Sequence, residues 1–236
     1  MDSGMPLSGR RFTKYQIATA VAVLFHIVGL MGLLFFNRSL FLQFTPGNLL
    51  LMLVLLVWTQ TGKNRWFFIF LFSCFLIGFG VEILGVRTGI LFGKYSYGTG
   101  MGYKLWDTPL ILGVNWFIVA YCSGMSIYRL RNSGIDLPVL QGPNGIKGVA
   151  IQVIAGGAFL ATIYDWQMEP VAIKLGYWRW SGGGTIPPYN YVCWFLVSGL
   201  LMCVFQVAKF EKLNKFAVNL MLIQFLFFLL LRLSLK

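Results

Sequence analysis

The sequence predicts an all-α fold: a polytopic membrane helical bundle of about seven transmembrane helices, forming a single integral-membrane domain over residues 1–236. Hydrophobic residues make up 58% of the chain and charged residues only 11%, with a mean hydropathy of +0.74, whereas about a quarter of the residues in soluble domains are charged. Charge-free intervals are long enough for helices that cross about 30 Å of hydrocarbon. The alternation of polar and apolar residues typical of a membrane β-barrel is absent from the sequence.

The charge-free intervals give the predicted spans in chain order. The first is Tyr15–Asn37, which at 23 residues is too long for the apolar core of a signal peptide, so we expect it to stay on the protein. A Pro46-Gly47 turn indicates that the second helix begins near Asn48. The other predicted spans are Trp66–Leu84, Thr108–Tyr128, Gly148–Tyr164, Tyr191–Ala208 and Phe216–Leu231.

The basic residues indicate topology. Lys and Arg number 19 against 7 Asp and Glu, for a net charge of +12. Because they fall between apolar runs, we interpret them as topology signals and contacts with anionic membrane lipid, and nucleic acid is not an expected partner. Eleven lie on the predicted side of the N-terminus and eight on the other, which favours a cytoplasmic N-terminus. The expected location is the cell membrane. The two longest loops, 85–107 and 167–190, are expected to share the opposite side.

The two halves of the chain carry similar motifs in the same order. Each has an acidic residue near a helix end, a loop in which glycine precedes two aromatic residues, and a Trp-Phe pair in the returning helix. These are Glu82, 93–97 and 116–117 in the first half, and Asp165 with Glu169, 176–180 and 194–195 in the second. This order predicts an internal duplication of a helix pair, with repeats over 66–128 and 148–208 and a site at their interface. The alternative is coincidence in an aromatic-rich chain.

Acidic residues give the candidate catalytic groups, because ionisable residues inside a bilayer are costly and indicate function. Four of the seven acids are candidates: Glu82, Asp107, Asp165 and Glu169. Glu82 lies 17 residues beyond Arg65, and Asp165 lies 18 beyond Lys147. At 1.5 Å per residue both are about 25 Å from their starting interface. Asp107 precedes a helix that starts on the far side, so we predict that all four carboxyls cluster at one membrane level.

Asp165 and Glu169 are four residues apart and share a helix face. Pro170 predicts that their helix ends at Glu169. Two carboxyls close together in a low dielectric do not ionise together easily, so one of them can keep its proton and serve as an acid.

Two alternatives give these acids a structural role. Asp107 with Thr108-Pro109 suits a helix start, because Asp favours the N-cap and Pro the first turn. The acids could also pair with basic residues and only fix the loops; the candidate partners are Arg87, Arg179 and Lys174.

Aromatic and polar side chains surround the predicted level of the acids. Those expected to bind substrate are Arg87, Tyr95, Tyr97, Asn115, Trp116, Tyr121, Trp166, Trp178, Trp180, Asn190 and Trp194. An aromatic face stabilises a cation by roughly 0.5–2 kcal/mol. A buried acid beside an aromatic cage therefore suits the protonation of an alkene and stabilisation of the resulting carbocation. The alternative is the aromatic belt that membrane proteins commonly place at the interface.

The cysteines and the histidine favour no other chemistry. The four cysteines lie inside apolar segments without Cys-x-x-Cys spacing, and we expect them to be buried: Cys74, Cys122, Cys193 and Cys203. His26 is the only histidine, so a histidine-based metal centre or triad is not expected, and we interpret His26 as a packing or helix-bonding residue. No dinucleotide or phosphate-binding motif is present. We predict no metal and no cofactor.

Several motifs carry a resemblance to a known family. They are EILGVRTG at 82–89, FGKYSY at 92–97, DWQMEP at 165–170, GYWRW at 176–180 and IPPYNY at 186–191. Over roughly 78–194 the chain resembles the bacterial and archaeal carotenoid hydratases, a family of carotenoid 1,2-hydratases and bisanhydrobacterioruberin hydratases. It is also similar to the small integral-membrane lycopene cyclases. Where the family often has Tyr-Tyr-Gly, this chain has Ser-Gly-Gly-Gly-Thr at 181–185, which leaves the end group of the substrate open.

The resemblance implies an enzyme that adds water to the terminal double bond of an acyclic carotenoid end without a cofactor. In this hypothesis Glu169 or Asp165 donates the proton, the aromatic cage holds the cation, and a water activated by Glu82 or its partner attacks. The apolar polyene would come from the bilayer, and other carotenoid enzymes are further expected partners. One alternative is a cyclase, in which an internal double bond captures the same cation. The other is a non-enzymatic carotenoid- or lipid-binding or transport protein.

Overall fold

A computed structural model describes residues 12–133, 146–182 and 185–235. Within these ranges the chain forms eight helices: α1 (Lys14–Phe35), α2 (Arg38–Gln43), α3 (Thr45–Thr59), α4 (Arg65–Thr88), α5 (Ile111–Asn132), α6 (Ile146–Leu175), α7 (Pro188–Val207) and α8 (Lys215–Ser234). Six of these eight, all except α2 and α3, are long and apolar enough to cross a membrane. The predicted all-α membrane bundle is therefore confirmed.

The second predicted helix, expected to begin near Asn48 after a Pro46-Gly47 turn, begins instead at Thr45, and a separate short helix precedes it. Residues 38–59 form the six-residue α2 and the 15-residue α3, and Pro46 lies in the first turn of α3, where the missing N–H costs nothing. At 1.5 Å per residue α3 is about 22 Å long, shorter than the roughly 30 Å of a hydrocarbon core. Six long spans and one shorter apolar helix thus correspond to the seven predicted spans.

Helix α5 forms the centre of the bundle. Every residue from Ile111 to Met125 is buried, and the helix contacts α3, α4, α6, α7 and α8. The prediction that it starts at Thr108 with Asp107 as N-cap is wrong. Thr108–Pro109 is a short strand, β3, which pairs with β2 (Lys104–Leu105). Trp106 and Asp107 form the two-residue turn between these strands, with φ of 53° and 62°, as the tight turns of hairpins require.

Helix α6 continues through Pro170 to Leu175, so the predicted end at Glu169 is wrong. Proline lacks the N–H that would bond to the carbonyl of Trp166, four residues earlier. Arg232 of α8 satisfies that carbonyl instead, because its Nη1 donates to Trp166 O at 3.4 Å and to Gln167 Oε1 at 3.2 Å. Asp165 and Glu169 therefore both lie inside a continuous helix.

A two-stranded antiparallel ribbon joins the two long loops. Strand β1 (Tyr95–Tyr97) pairs with β4 (Trp178–Trp180), with Ser96 opposite Arg179. The aromatic residues point into the bundle, whereas Ser96 and Arg179 are exposed. The pairing confirms that both loops lie at the same end of the bundle. The internal duplication, the membrane side of this end and the cytoplasmic N-terminus stay predictions, and residues 1–11 lie outside the described ranges.

Candidate active site

A cavity of about 550 Å³ lies inside the bundle and extends to the β1–β4 ribbon. Its volume is typical of a small-molecule site. Most of its wall is aliphatic or aromatic, and three buried carboxyl groups also line it: Glu82 of α4 and Asp165 and Glu169 of α6. The predicted substrate-binding residues that line it are Tyr95, Tyr97, Asn115, Trp178, Trp180, Asn190 and Trp194.

Glu82 accepts three hydrogen bonds. The hydroxyls of Tyr95 and Tyr97 donate to its Oε2 at 2.7 and 2.6 Å, and the indole nitrogen of Trp116 donates to Oε1 at 2.9 Å. Burial, with the neighbouring Glu82, raises the pKa of Tyr95 and of Tyr97, so both phenols keep their protons and act as donors. Since an ionised carboxylate only accepts, three donors favour the charged form of Glu82.

A glycine makes one of these contacts possible. A Cβ atom at Gly78 of α4 would collide with Cβ and Cγ of Trp116 on α5. The absence of a side chain at Gly78 therefore lets the indole of Trp116 lie against α4 and reach Glu82.

Glu169 is held by the other strand of the ribbon. The indole nitrogens of Trp178 and Trp180 donate to its Oε2 at 3.0 and 3.1 Å. Because side chains two apart on a strand share a face, each strand supplies a pair of donors to one acid. The tyrosine pair of β1 thus contacts Glu82, and the tryptophan pair of β4 contacts Glu169.

Asp165 has the fewest donors of the three acids. Nδ2 of Asn190, at the start of α7, donates to its Oδ2 at 2.9 Å. Its other oxygen, Oδ1, is buried and has no hydrogen-bond partner in the described part of the chain. A buried carboxylate oxygen without a donor is costly, so this geometry favours the neutral acid with its proton on Oδ1.

The basic residues suggested as partners do not pair with these acids among the described residues. Arg87 lies over the ring of Trp106 at 5.8 Å, outside the cavity. Lys174 donates to the carbonyl of Leu235 at 2.8 Å, and Arg179 is exposed on the outer face of β4. The acids are therefore surrounded by neutral donors.

Aromatic rings from both halves of the chain pack against each other beside the acids. Trp116 stacks on Trp194, with ring centroids 4.1 Å apart and planes at 15°. Across the ribbon, Tyr95 packs on Trp180 at 5.2 Å and Tyr97 on Trp178 at 5.9 Å. These contacts hold the donors of Glu82 and Glu169 in one continuous aromatic layer.

Two predicted site residues lie at the surface of the ribbon end. Asp107 is exposed in the β2–β3 turn and does not line the cavity. The expectation that it clusters with the other three carboxyls is wrong, because the hairpin carries it away from the helix start. Arg87, in the last turn of α4, is also exposed, and its predicted contact with substrate has no support in this arrangement.

Two other predicted residues face away from the cavity. Tyr121 lies farther along α5, where its hydroxyl bonds to Gln60 and to Asn214 within a cluster of phenylalanines. Trp166 is 49% exposed and packs under the guanidinium of Arg232 at 4.4 Å. One residue along a helix is a rotation of about 100°, so Trp166 leaves the face that Asp165 occupies.

The sequence interpretation missed the part of the cavity lining that comes from the first three helices and the last one. It contains residues of α1, α2, α3 and α8, including the polar side chains of His26, Asn48 and Gln224. The expected helix-bonding role of His26 is confirmed, since Nδ1 lies 2.7 Å from the carbonyl of Ala22. Polar residues inside apolar spans were the available signal for Asn48 and Gln224. The cysteines are free, and all are buried except Cys203, which is exposed.

Comparison with known proteins supports the resemblance. Residues 41–236 match the family described as carotenoid biosynthesis protein. Bisanhydrobacterioruberin hydratase of Haloarcula japonica is 26% identical over 197 residues, which cover 79% of this chain and 63% of that protein. The matched region is thus less than two thirds of that relative's length. No solved structure matches the chain. Because the family match covers most of the sequence, this chain belongs to the carotenoid biosynthesis protein family.

Proposed function

We propose that this protein is a hydratase, which adds water to the terminal double bond of an acyclic carotenoid end and forms a tertiary alcohol. One observation carries the proposal: three buried carboxyls with neutral hydrogen-bond partners line an apolar, aromatic cavity in the described bundle. The name of the Haloarcula relative, a hydratase, supports the same reaction class.

Asp165 is the proposed proton donor. A group that protonates an alkene must be neutral in the resting site, and Asp165 has the geometry of a neutral acid because Oδ1 is buried without a donor. Its proton forms a C–H bond at the alkene carbon that already carries one hydrogen, and the π electrons of the alkene make that bond. The adjacent tertiary carbon is left as a cation.

The other two acids stabilise this cation. Glu82, with three donors, and Glu169, with two, are the acids whose hydrogen bonds favour a negative charge beside the cavity. Charges fixed in a low-dielectric site interact strongly with a charge that develops in the transition state. The faces of the neighbouring tryptophans add a cation–π contribution.

Water completes the reaction. Its oxygen forms a C–O bond with the tertiary carbon, and the proton lost by the resulting oxonium group passes to a carboxylate of the cluster. The site returns to its starting charge, and the net change is the addition of one water to the double bond. The substrate is a hydrocarbon end group, so we infer that the polyene comes from the bilayer.

A pigment profile tests this function. The protein is expressed in a bacterial host that accumulates lycopene and in one that accumulates a carotene with a single open end. We expect a new pigment heavier by one water in at least one host. A pigment of unchanged mass with altered retention would show a cyclase, which shares the acid and cation but captures the cation with an internal double bond. No new pigment, with the protein present in the membrane, would favour a binding or transport role.

A further inference from the structure

A second set of polar side chains lines the cavity, and we call it the polar wall: His26 of α1, Asn48 of α3 and Gln224 of α8. His26 and Gln224 are 7% and 4% exposed, so neither is a surface group. The three helices that carry them differ from the three that carry the carboxyls and Asn190. The cavity is therefore lined by acidic groups and by neutral polar groups that come from different helices.

The polar wall contains hydrogen-bond acceptors that have no donor among the described residues. Because a backbone carbonyl only accepts, Nδ1 of His26 donates to Ala22 O, and Nε2 of the neutral ring is left as an acceptor. The edge contact with Phe227, at 5.3 Å between ring centroids, fixes the ring. Oδ1 of Asn48 and Oε1 of Gln224 are buried without a partner among the described residues.

Buried acceptors without donors are destabilising, so such a group of them is typical of a site that holds a polar ligand. A hydrocarbon end group has no O–H or N–H to offer. A water molecule offers two O–H donors, and a buried water takes about three hydrogen bonds. The chemistry of the polar wall therefore matches water and not the polyene.

We propose that the polar wall holds the water that captures the carbocation, and so directs this site to hydration and away from cyclisation. The inference rests on the proposed function and deepens it. The acids that form and stabilise the cation come from α4 and α6, whereas the groups that hold the nucleophile come from α1, α3 and α8. The amides and the neutral imidazole hold the water through hydrogen bonds without adding a charge that would compete with Glu82 and Glu169 for the cation.

Two variants test the proposal on two different helices. Gln224→Met and Asn48→Leu keep approximate side-chain size but remove the hydrogen-bonding atoms. In the pigment-profile host that gives hydrated product, we expect each variant to lower the ratio of hydrated product to product of unchanged mass by about tenfold or more. Total substrate consumption should persist, because Asp165 still protonates the alkene and the cation then loses a proton or cyclises.

The matched control is Gln152→Met, since Gln152 of α6 also has a buried Oε1 without a partner in the described residues but does not line the cavity. Its product ratio should stay at the wild-type value. Unchanged ratios in both polar-wall variants would overturn the inference. So would a complete loss of consumption by both variants at wild-type protein level in the membrane, because the wall would then act before capture. A wild-type chain that forms no hydrated product would instead overturn the proposed function.

Discussion

Replacing Asp165 by asparagine is expected to lower the rate of hydrated-product formation by about 100- to 10,000-fold, the range that a positioned general acid contributes. Asparagine keeps the size of the side chain and an oxygen that can accept from Asn190, but it has no acidic proton to give to the alkene. The measurement is the initial rate of product formation in membranes that contain equal amounts of each protein.

Glu211→Gln is the control for Asp165→Asn. Glu211 is an exposed acid in the connection between α7 and α8 and does not line the cavity, so neutralising it should leave the rate unchanged. An Asp165→Asn protein that works at the wild-type rate would contradict the assignment. Glu169 would then be the donor, and Glu169→Gln should show the loss in its place.

Replacing Glu82 by glutamine is expected to lower the rate by about 100- to 1,000-fold, as the loss of one preorganised electrostatic group does in other enzymes. The substitution removes a negative charge beside the cavity. It also replaces a carboxylate oxygen by an NH₂ group, which only donates. In the wild-type protein three side chains donate to this carboxylate: Tyr95, Tyr97 and Trp116. At least one buried donor then loses its partner, at about 1–3 kcal/mol, and the thermal midpoint should fall as well.

Tyr97→Phe separates these two effects of Glu82→Gln. It removes one donor but leaves the carboxylate and two of its hydrogen bonds in place. We therefore expect a lowered thermal midpoint with a smaller loss of rate than in Glu82→Gln. If the two variants lost stability equally and also lost rate equally, the charge of Glu82 would have no role beyond holding the ribbon.

The helices and acids could be predicted from sequence because their signals are local. Charge-free intervals locate the spans, and the count of residues from Arg65 places Glu82 near the end of α4. The two similar aromatic loops could also be identified from the sequence. Their direct pairing as β1 and β4 could not, because it joins residues far apart in the chain.

Features that depend on distant partners could not be predicted. Pro170 indicates a helix end unless a donor satisfies the freed carbonyl of Trp166, and that donor, Arg232, comes from another helix. A polar residue in an apolar span does not show which direction it faces, so the sequence signal at Gln224 could not be assigned to the cavity. The residue type of Asp107 suits a helix N-cap, but in the structure Asp107 lies in a hairpin turn.

The most direct test of the central claim is isotopic labelling of the product. Membranes containing the protein are given the acyclic carotenoid that the pigment profile identifies, once in water enriched in ¹⁸O and once in D₂O. Proton transfer to carbon followed by capture with water predicts one ¹⁸O in the hydroxyl and one deuterium on the carbon next to the tertiary alcohol. Deuterium without ¹⁸O in a product of otherwise unchanged mass would mean that an internal double bond captures the cation. A product with neither label would contradict acid-initiated hydration.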